Sequence, residues 1–206
     1  GKVALVAPLS FDASVQQLAV SIFCGNTLYV MSDAERKSPE LFHACLVRNG
    51  IDLCDMTPAF FNVLVEYLFE RKLALPVRRI LLAGEILRPD TMRKFYGIAG
   101  NEGVVLFNVY GPTECTVDSS AFRIDFSNYR AFSSYPIGRA LQGVDITIRD
   151  RDGRVLPDSV TGEIWISGAG VCRGYLPGSG GDGAFVTAGD ERCYRTGDNG
   201  FMKDGL

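Results

Sequence analysis

Five short apolar runs, separated by stretches with helical spacing, constrain this chain more than any other feature. Val3–Leu9, Thr27–Met31, Ile51–Met56, Arg79–Ala83 and Val104–Val109 read as strands. Asp12 or Ser10 caps the first helix, which runs to about Phe23 with Val15, Leu18, Ala19, Ile22 and Phe23 on its inner side. Ser38-Pro39 and Thr57-Pro58 each pair a capping hydroxyl with a first-turn proline. The helix opened by Ser38 extends to about Arg48, and the one opened by Thr57 carries the stripe Phe61, Leu64, Val65 and Leu68. A further helix is expected from Pro89 to about Ala99. Strands alternating with helices of about ten to fifteen residues imply βαβ units and a parallel sheet.

The character changes after Asp118. Ser120–Ile124, Val144–Arg149, Glu163–Ser167 and Tyr194–Met202 are short, β-like and separated by Gly, Pro and Asp, with Asp152-Gly153 placed as a hairpin turn. The expected organisation is an α/β subdomain over residues 1–118 and a β-rich subdomain, part of a barrel, over residues 119–206. At 206 residues, 47% hydrophobic and 22% charged, the chain is globular and can bury a substantial core.

The net charge of −3, without a Lys/Arg cluster, indicates neither a nucleic-acid surface nor an anionic membrane. Apolar runs stay well short of a transmembrane length, and no charged n-region precedes an apolar core at the N-terminus, so no secretion signal is expected. The six cysteines show no C-x-x-C spacing and mostly sit in apolar segments, as reduced core thiols of a cytoplasmic protein would. A His-based zinc site or a Ser-His-Asp triad would have to rest on the single histidine, His43, which falls in an expected helix and reads as structural or surface.

The chemistry concentrates in Phe107-Asn108-Val109-Tyr110-Gly111-Pro112-Thr113-Glu114-Cys115-Thr116-Val117-Asp118. A buried strand runs into a Gly-Pro turn, and Thr113-Glu114 opens the next element. At a strand-to-helix turn, backbone N–H groups favour an anion, Thr113 can donate to a phosphate, and Glu114 offers the hard oxygen that magnesium takes. Two other motifs are set aside. Gly178-Ser179-Gly180-Gly181-Asp182-Gly183 fits a dinucleotide pattern, but no strand leads into it and no helix pattern comes after it. Asp150-Arg151-Asp152-Gly153 lacks the spacing and closing Glu of a calcium loop.

Asn-x-Tyr-Gly-Pro-Thr-Glu resembles a core motif of the adenylate-forming enzymes, most closely the adenylation domains of nonribosomal peptide synthetases. Three more stretches match in the family's order: Phe11-Asp12-Ala13-Ser14, the run Gly162–Gly168 continuing through Gly170-Val171-Cys172-Arg173-Gly174-Tyr175-Leu176, and Tyr194-Arg195-Thr196-Gly197-Asp198. The resemblance implies a ligase that uses ATP and Mg2+ to convert a carboxylate into an acyl-AMP. Positioning and charge neutralisation would carry its catalysis. It implies Thr113 at the α-phosphate, Glu114 on magnesium, Tyr110 stacked on adenine, Asn108 and the backbone around Gly84-Glu85 on the adenine edge, and Asp198 on the ribose hydroxyls. It also implies a peptidyl carrier domain with its phosphopantetheine arm as partner, in a cytoplasmic assembly of the kind that makes peptide antibiotics.

The resemblance further gives Asp12 to the α-ammonium of an amino acid, a group that needs a paired carboxylate once buried. Phe11 would wall the carboxylate end. Asp12, Ala13, Gln16, Asp55, Leu81, Ala83, Val109, Val117 and Asp118 would line the side-chain pocket. Its polar members, Gln16, Asp55 and Asp118, resemble those of glutamine- and glutamate-activating domains. Two carboxylates accept from an amide NH2 and repel a glutamate side chain, which favours glutamine over glutamate, with ornithine or lysine as the cationic competitor. An acyl- or aryl-CoA ligase is the second enzyme reading, disfavoured by Asp12, and a non-catalytic structural piece of the same fold is the third. The family's phosphate loop would precede Phe11-Asp12, and its lysine-bearing lobe would come after Asp198. The chain therefore reads as the central fragment of an adenylation domain, expected to be inactive alone.

Overall fold

The computed structural model describes residues 1–176, 178, 181 and 183–206. The chain packs as two units, Gly1–Val109 with Phe122–Pro136, and Tyr110–Ala121 with Ile137–Leu206. This division departs from a boundary at 118/119. Tyr110 and Cys115 pack in the second unit's cluster, whereas Ile124, Tyr129 and Tyr135 belong to the first core.

In the first unit β1 (Lys2–Leu5), α1 (Ala13–Phe23), β2 (Thr27–Val30), α2 (Asp33–Lys37), α3 (Pro39–Asn49), β3 (Leu53–Met56), α4 (Pro58–Arg71), β4 (Arg79–Ala83), α5 (Pro89–Tyr96) and β5 (Val105–Tyr110) succeed one another in order. The strands stand in the order β2-β1-β3-β4-β5, with β6 (Ser120–Ile124) next beyond β5. The pairs from β2 to β5 are parallel, as the alternation requires. β1 stops at Leu5, short of the expected Leu9, because Pro8 opens a turn that the Phe11 N–H closes on the Pro8 carbonyl at 2.9 Å. Ser38 and Thr57 cap α3 and α4 by accepting from the N–H of Leu41 and Phe60, each with proline in the first turn.

The inner stripe of α4, Phe61, Leu64, Val65 and Leu68, is fully buried with Ile80, Leu82 and Leu106 of the sheet. Burial of such a side chain is worth about 1.5–3 kcal/mol. In α1 the expected inner face is mostly outward: Val15, Ile22 and Phe23 are 58%, 71% and 85% exposed and Leu18 and Ala19 half-buried, while Ser14, Gln17 and Ser21 are 1%, 4% and 4% exposed. The reason is hydrogen bonding. Ser14 Oγ donates to the Phe11 carbonyl at 2.7 Å, Ser21 Oγ to the Gln17 carbonyl at 2.8 Å, and Gln17 accepts from the backbone beyond β1.

In the second unit β7 (Arg139–Ala140) pairs antiparallel with Ser120 and Ala121 at the start of β6. β8 (Val144–Arg149), β9 (Gly162–Gly168), β10 (Phe185–Ala188) and β11 (Glu191–Gly200) form an antiparallel sheet in the order β10-β11-β9-β8. Ile148, Ile164, Ile166 and Tyr194 make its core. Arg149 and Arg195 lie 5.0 and 5.3 Å from the Trp165 ring. Asp150 Oδ1 accepts from the N–H of Asp152 and Arg154 at 2.9 and 2.8 Å, so 150–153 is a self-bonded turn. Residues 179, 180 and 182 of the glycine-rich stretch lie outside the described residues.

Cys45, Cys54, Cys115 and Cys193 are buried free thiols, as expected of most of the six, and Cys24 and Cys172 are exposed. His43, on α3, meets the Ala74 carbonyl through Nε2 at 3.0 Å. Among the described residues no helix is long and apolar enough to cross a membrane.

Neighbouring positions on α4 give a controlled comparison. Leu64→Ala, at a fully buried site, lowers the unfolding free energy by about 2–5 kcal/mol. Val63→Ala, at a site 53% exposed, changes it by less than about 0.5 kcal/mol. Urea unfolding monitored by circular dichroism reads both; equal midpoints would contradict the packing described for α4.

Candidate active site

Asp55, Ala83 and Val109 stand at or next to the carboxyl ends of β3, β4 and β5, where an open α/β sheet presents ligands with loops and helix starts, with Leu81 midway along β4. Asp55 stands beside Leu81, Leu81 beside Phe107, and Ala83 beside Val109. Residues in register on adjacent parallel strands share a face, and alternation joins Leu81 to Ala83. Asp55, Leu81, Ala83 and Val109 therefore line one face, and Cys54, Ile80, Leu82 and Leu106 form the buried opposite one.

Asn108 lies on that opposite face, and its Nδ2 donates to the Pro136 carbonyl at 2.8 Å. Its amide is thus engaged within the unit. Gly84 leaves β4 at φ +87°, a backbone state that suits glycine. Glu85 accepts from the Ala59 N–H at 2.8 Å and satisfies a donor in the first turn of α4.

Asp12 caps α1, its Oδ1 accepting from the Ala13 N–H at 2.8 Å. Phe11 is exposed; Ala13 and Gln16 are half-buried. The next residue, Gln17, was not singled out in the sequence and is the buried one. Its Oε1 accepts from the N–H groups of Val6 and Ala7 at 2.9 and 3.2 Å, and its Nε2 donates to Asp55 Oδ1. The available signal is the polar stripe Ser14, Gln17 and Ser21 at helical spacing, hidden beside the apolar residues that read as the inner face.

The second unit carries Tyr110, Thr113, Glu114, Val117, Asp118 and Asp198. Thr113–Cys115 is a single 3-10 turn, so the helix expected to open at Thr113 is absent and no helix dipole acts there. The turn is compressed: a Cβ on Gly111 would lie 2.3 Å from the Val117 carbonyl oxygen and 2.7 Å from the Ser119 nitrogen. Thr116 and Val117 come next at φ +63° and +69°, strained for β-branched residues. The loop after β9 holds this geometry, with Thr116 Oγ1 donating to the Gly170 carbonyl at 2.7 Å and the Cys172 N–H donating to the Glu114 carbonyl at 2.8 Å.

Tyr175, in the same loop, donates to Glu114 Oε1 at 2.5 Å and lies 3.2 Å from the Tyr194 hydroxyl. The bond to Glu114 pushes the Tyr175 phenol up, so it remains a donor. Tyr175 falls inside a matched motif, but the sequence assigned it no role. Burial pushes the neighbouring Cys115 thiol up to about 12, which makes it an inert packing group.

Asp198 sits in a bulge of β11, where the register to β9 shifts between Arg195 and Asn199. Its N–H donates to Thr196 Oγ1 at 3.0 Å, and the Gly197 N–H donates to Glu163 Oε1 at 3.2 Å. Across 88 residues of chain, the Tyr110 hydroxyl donates to Asp198 Oδ2 at 2.6 Å. Burial, then this bond, pushes the Tyr110 phenol up. A cavity of about 420 Å³ beside Trp165, lined by Arg149, Asp152 and Thr187 among others, contains none of the predicted site residues.

A family model described as AMP-binding enzyme matches residues 1–176. Bacitracin synthase 1 of Bacillus licheniformis is 37% identical over 174 residues, covering 84% of this chain and 3% of that protein. A D-alanine–D-alanyl carrier protein ligase of Bacillus cereus (strain AH187) is 32% identical over 203 residues, covering 97% and 40%. A solved NRPS protein containing adenylation and PCP domains, in its holo form with a vinylsulfonamide inhibitor, aligns with a TM-score of 0.86 at 27% identity. That alignment covers 98% of this chain and 35% of the solved one, so the chain spans well under half the length of these relatives.

The crowding at Gly111 sets an expected outcome. Gly111→Ala forces the Val117–Ser119 backbone to move, because the atoms a methyl would meet are main-chain atoms. A loss of about 1–3 kcal/mol of stability results, read by urea unfolding. Unchanged stability would show that the turn has slack.

Proposed function

This chain belongs to the AMP-binding enzyme family and matches part of a nonribosomal-peptide-synthetase adenylation domain, and from that premise we propose that it activates an α-amino acid as an aminoacyl-AMP. The substrate carboxylate attacks the α-phosphorus of ATP, the bond to the bridging oxygen breaks, and pyrophosphate leaves. The observation that carries this reading is the bond from Tyr110 to Asp198 across 88 residues. It joins the residue proposed to stack on adenine to the carboxylate proposed to accept from the ribose hydroxyls.

Thr113 would donate to the α-phosphate, and Glu114 would hold magnesium. Among the described residues no cluster of three or more His, Cys, Asp or Glu side chains forms a metal site. A single carboxylate suits magnesium where substrate phosphates and water would supply the remaining oxygens, as in nucleotide sites. When bound, the ion neutralises the charge gathering on the phosphates. Asp12 pairs with the α-ammonium. Asp55 and Gln16 meet the side chain, and an amide fits them best, so glutamine is the proposed substrate. The carrier-protein ligase and the solved protein with adenylation and PCP domains support a carrier domain as the acceptor of the activated acid.

The test uses the full-length protein that carries this sequence, assayed by amino-acid-dependent pyrophosphate exchange. Asp12→Ala lowers kcat/KM for the amino acid by about 10–100-fold, since an ammonium loses a charged hydrogen-bond partner. The matching des-amino acid loses far less. Full activity of Asp12→Ala with glutamine would remove Asp12 from the ammonium site.

Gln16→Lys places a cation among acceptors. Glutamate can then form a charge-assisted bond while glutamine loses a neutral partner, so preference moves toward glutamate by about 1–3 kcal/mol. Exchange rates at matched glutamine, glutamate and ornithine measure the direction. A parent that prefers ornithine makes the acidic lining a cation site, and one that prefers a large apolar acid sinks the side-chain assignment.

A further inference from the structure

We propose that Gln17 is the positioning residue for Asp55 and, through it, sets which amino-acid side chain is accepted; the inference rests on the reading that Asp55 meets the substrate side chain. Gln17 is 4% exposed, in the middle of the inward face of α1. Its Oε1 receives two backbone donors, Val6 and Ala7, just past the end of β1. Its Nε2 is then left to donate, and it donates to Asp55 Oδ1 on β3.

The amide has one workable orientation. Turned over, its NH2 would oppose two N–H donors and its carbonyl would oppose a carboxylate. The two backbone donors therefore dictate that a donor faces Asp55, and the Asp55 oxygen on that side is held as an acceptor. One side chain ties the exit of β1, helix α1 and the carboxyl end of β3. Asp55 stands beside Leu81, on the face shared by Ala83 and Val109. A turn of the Asp55 carboxylate would alter what this face offers a ligand.

A purely structural role would need only the acceptor half of the amide, to satisfy Val6 and Ala7. Gln17→Glu separates the halves. It keeps an oxygen for the two N–H groups and replaces the donor with a second oxygen opposite Asp55, so the two carboxylates repel.

The experiment uses the full-length protein, with KM for amino acid and for ATP measured separately by pyrophosphate exchange in the parent, Gln17→Glu, Gln17→Met, Asp55→Ala and Gln17→Met/Asp55→Ala. Gln17→Glu raises KM for the preferred amino acid about tenfold or more, as loss of a bond to a charged group does. KM for ATP moves less than about twofold. Gln17→Met raises the amino-acid KM in the parent but not in the Asp55→Ala background, because a residue acting through another is non-additive with it. ATP and amino-acid KM rising together, or additive effects of Gln17→Met and Asp55→Ala, would reduce Gln17 to a strut between β1 and α1. If Asp55→Ala leaves the preference among glutamine, glutamate and ornithine unchanged, the reading of Asp55 fails and the inference falls with it. If Asp55→Ala shifts that preference and Gln17→Glu leaves the amino-acid KM at the parent value, the inference alone fails. Should Gln17→Glu not fold, the Gln17→Met cycle decides between the same outcomes.

Discussion

Every parallel strand runs out of sheet partners at its carboxyl end, and the backbone groups left there must still be satisfied. At the exit of β1 the donors are the N–H groups of Val6 and Ala7, and the acceptor is Gln17. That demand places a glutamine on the inward face of α1, between Ser14 and Ser21. A helix that turns its polar stripe inward leaves Val15, Ile22 and Phe23 facing out. The same demand aims a side-chain NH2 at Asp55. In the second unit the exit of β5 is closed by the Ser119 N–H on the Tyr110 carbonyl at 2.8 Å, which folds the Gly111–Asp118 turn back on itself.

The parts of the fold legible in the sequence were those where local and tertiary preferences agree. Ser38-Pro39 and Thr57-Pro58 mark helix starts by a capping hydroxyl and a residue with no N–H to lose, and both helices begin there. β4, β6 and β8 have the bounds expected of them. Helix α1 defeats the same logic, since its apolar spacing is real but faces outward. Helix α2 was missed although Ser32 and Glu35 spell a capping box, which both bonds complete. Five residues with none buried give no periodicity to read. Helix α5 ends at Tyr96, before the expected Ala99, with the Gly97 N–H donating to the Arg93 and Lys94 carbonyls.

The proposed site residues come from motif alone, and the side chains that support them were opaque in the sequence. The matched stretches supplied Tyr110, Thr113, Glu114 and Asp198, and the structure ties Tyr110 to Asp198. Motif spacing did not disclose that Thr113 opens a single 3-10 turn, because a Gly-Pro before a hydroxyl and a carboxylate reads the same for either helix type. Nor did it disclose Gln17 or Tyr175. Each touches its carboxylate through a long-range bond, over 38 and 61 residues, and no local pattern encodes such a pair.

The carboxylates of the second unit divide by the charge of their partner. Glu163, in the sheet beneath the β11 bulge, pairs with Arg195 at 3.0 Å and accepts from the Trp165 indole N–H at 3.0 Å. Its charge is answered within the protein. Glu114 and Asp198 receive phenol hydroxyls instead, from Tyr175 and Tyr110, and among the described residues neither has a Lys or Arg ion pair. A neutral donor fixes the direction of a carboxylate without cancelling its charge. An arginine would hold it more firmly and compete with any cation or hydroxyl that arrives. Burial and the bonds themselves keep both phenols protonated, so the donors persist across the working pH range. A carboxylate aimed by a phenol is oriented while its charge goes unanswered by a cationic side chain, whereas one paired with arginine serves to hold the sheet together.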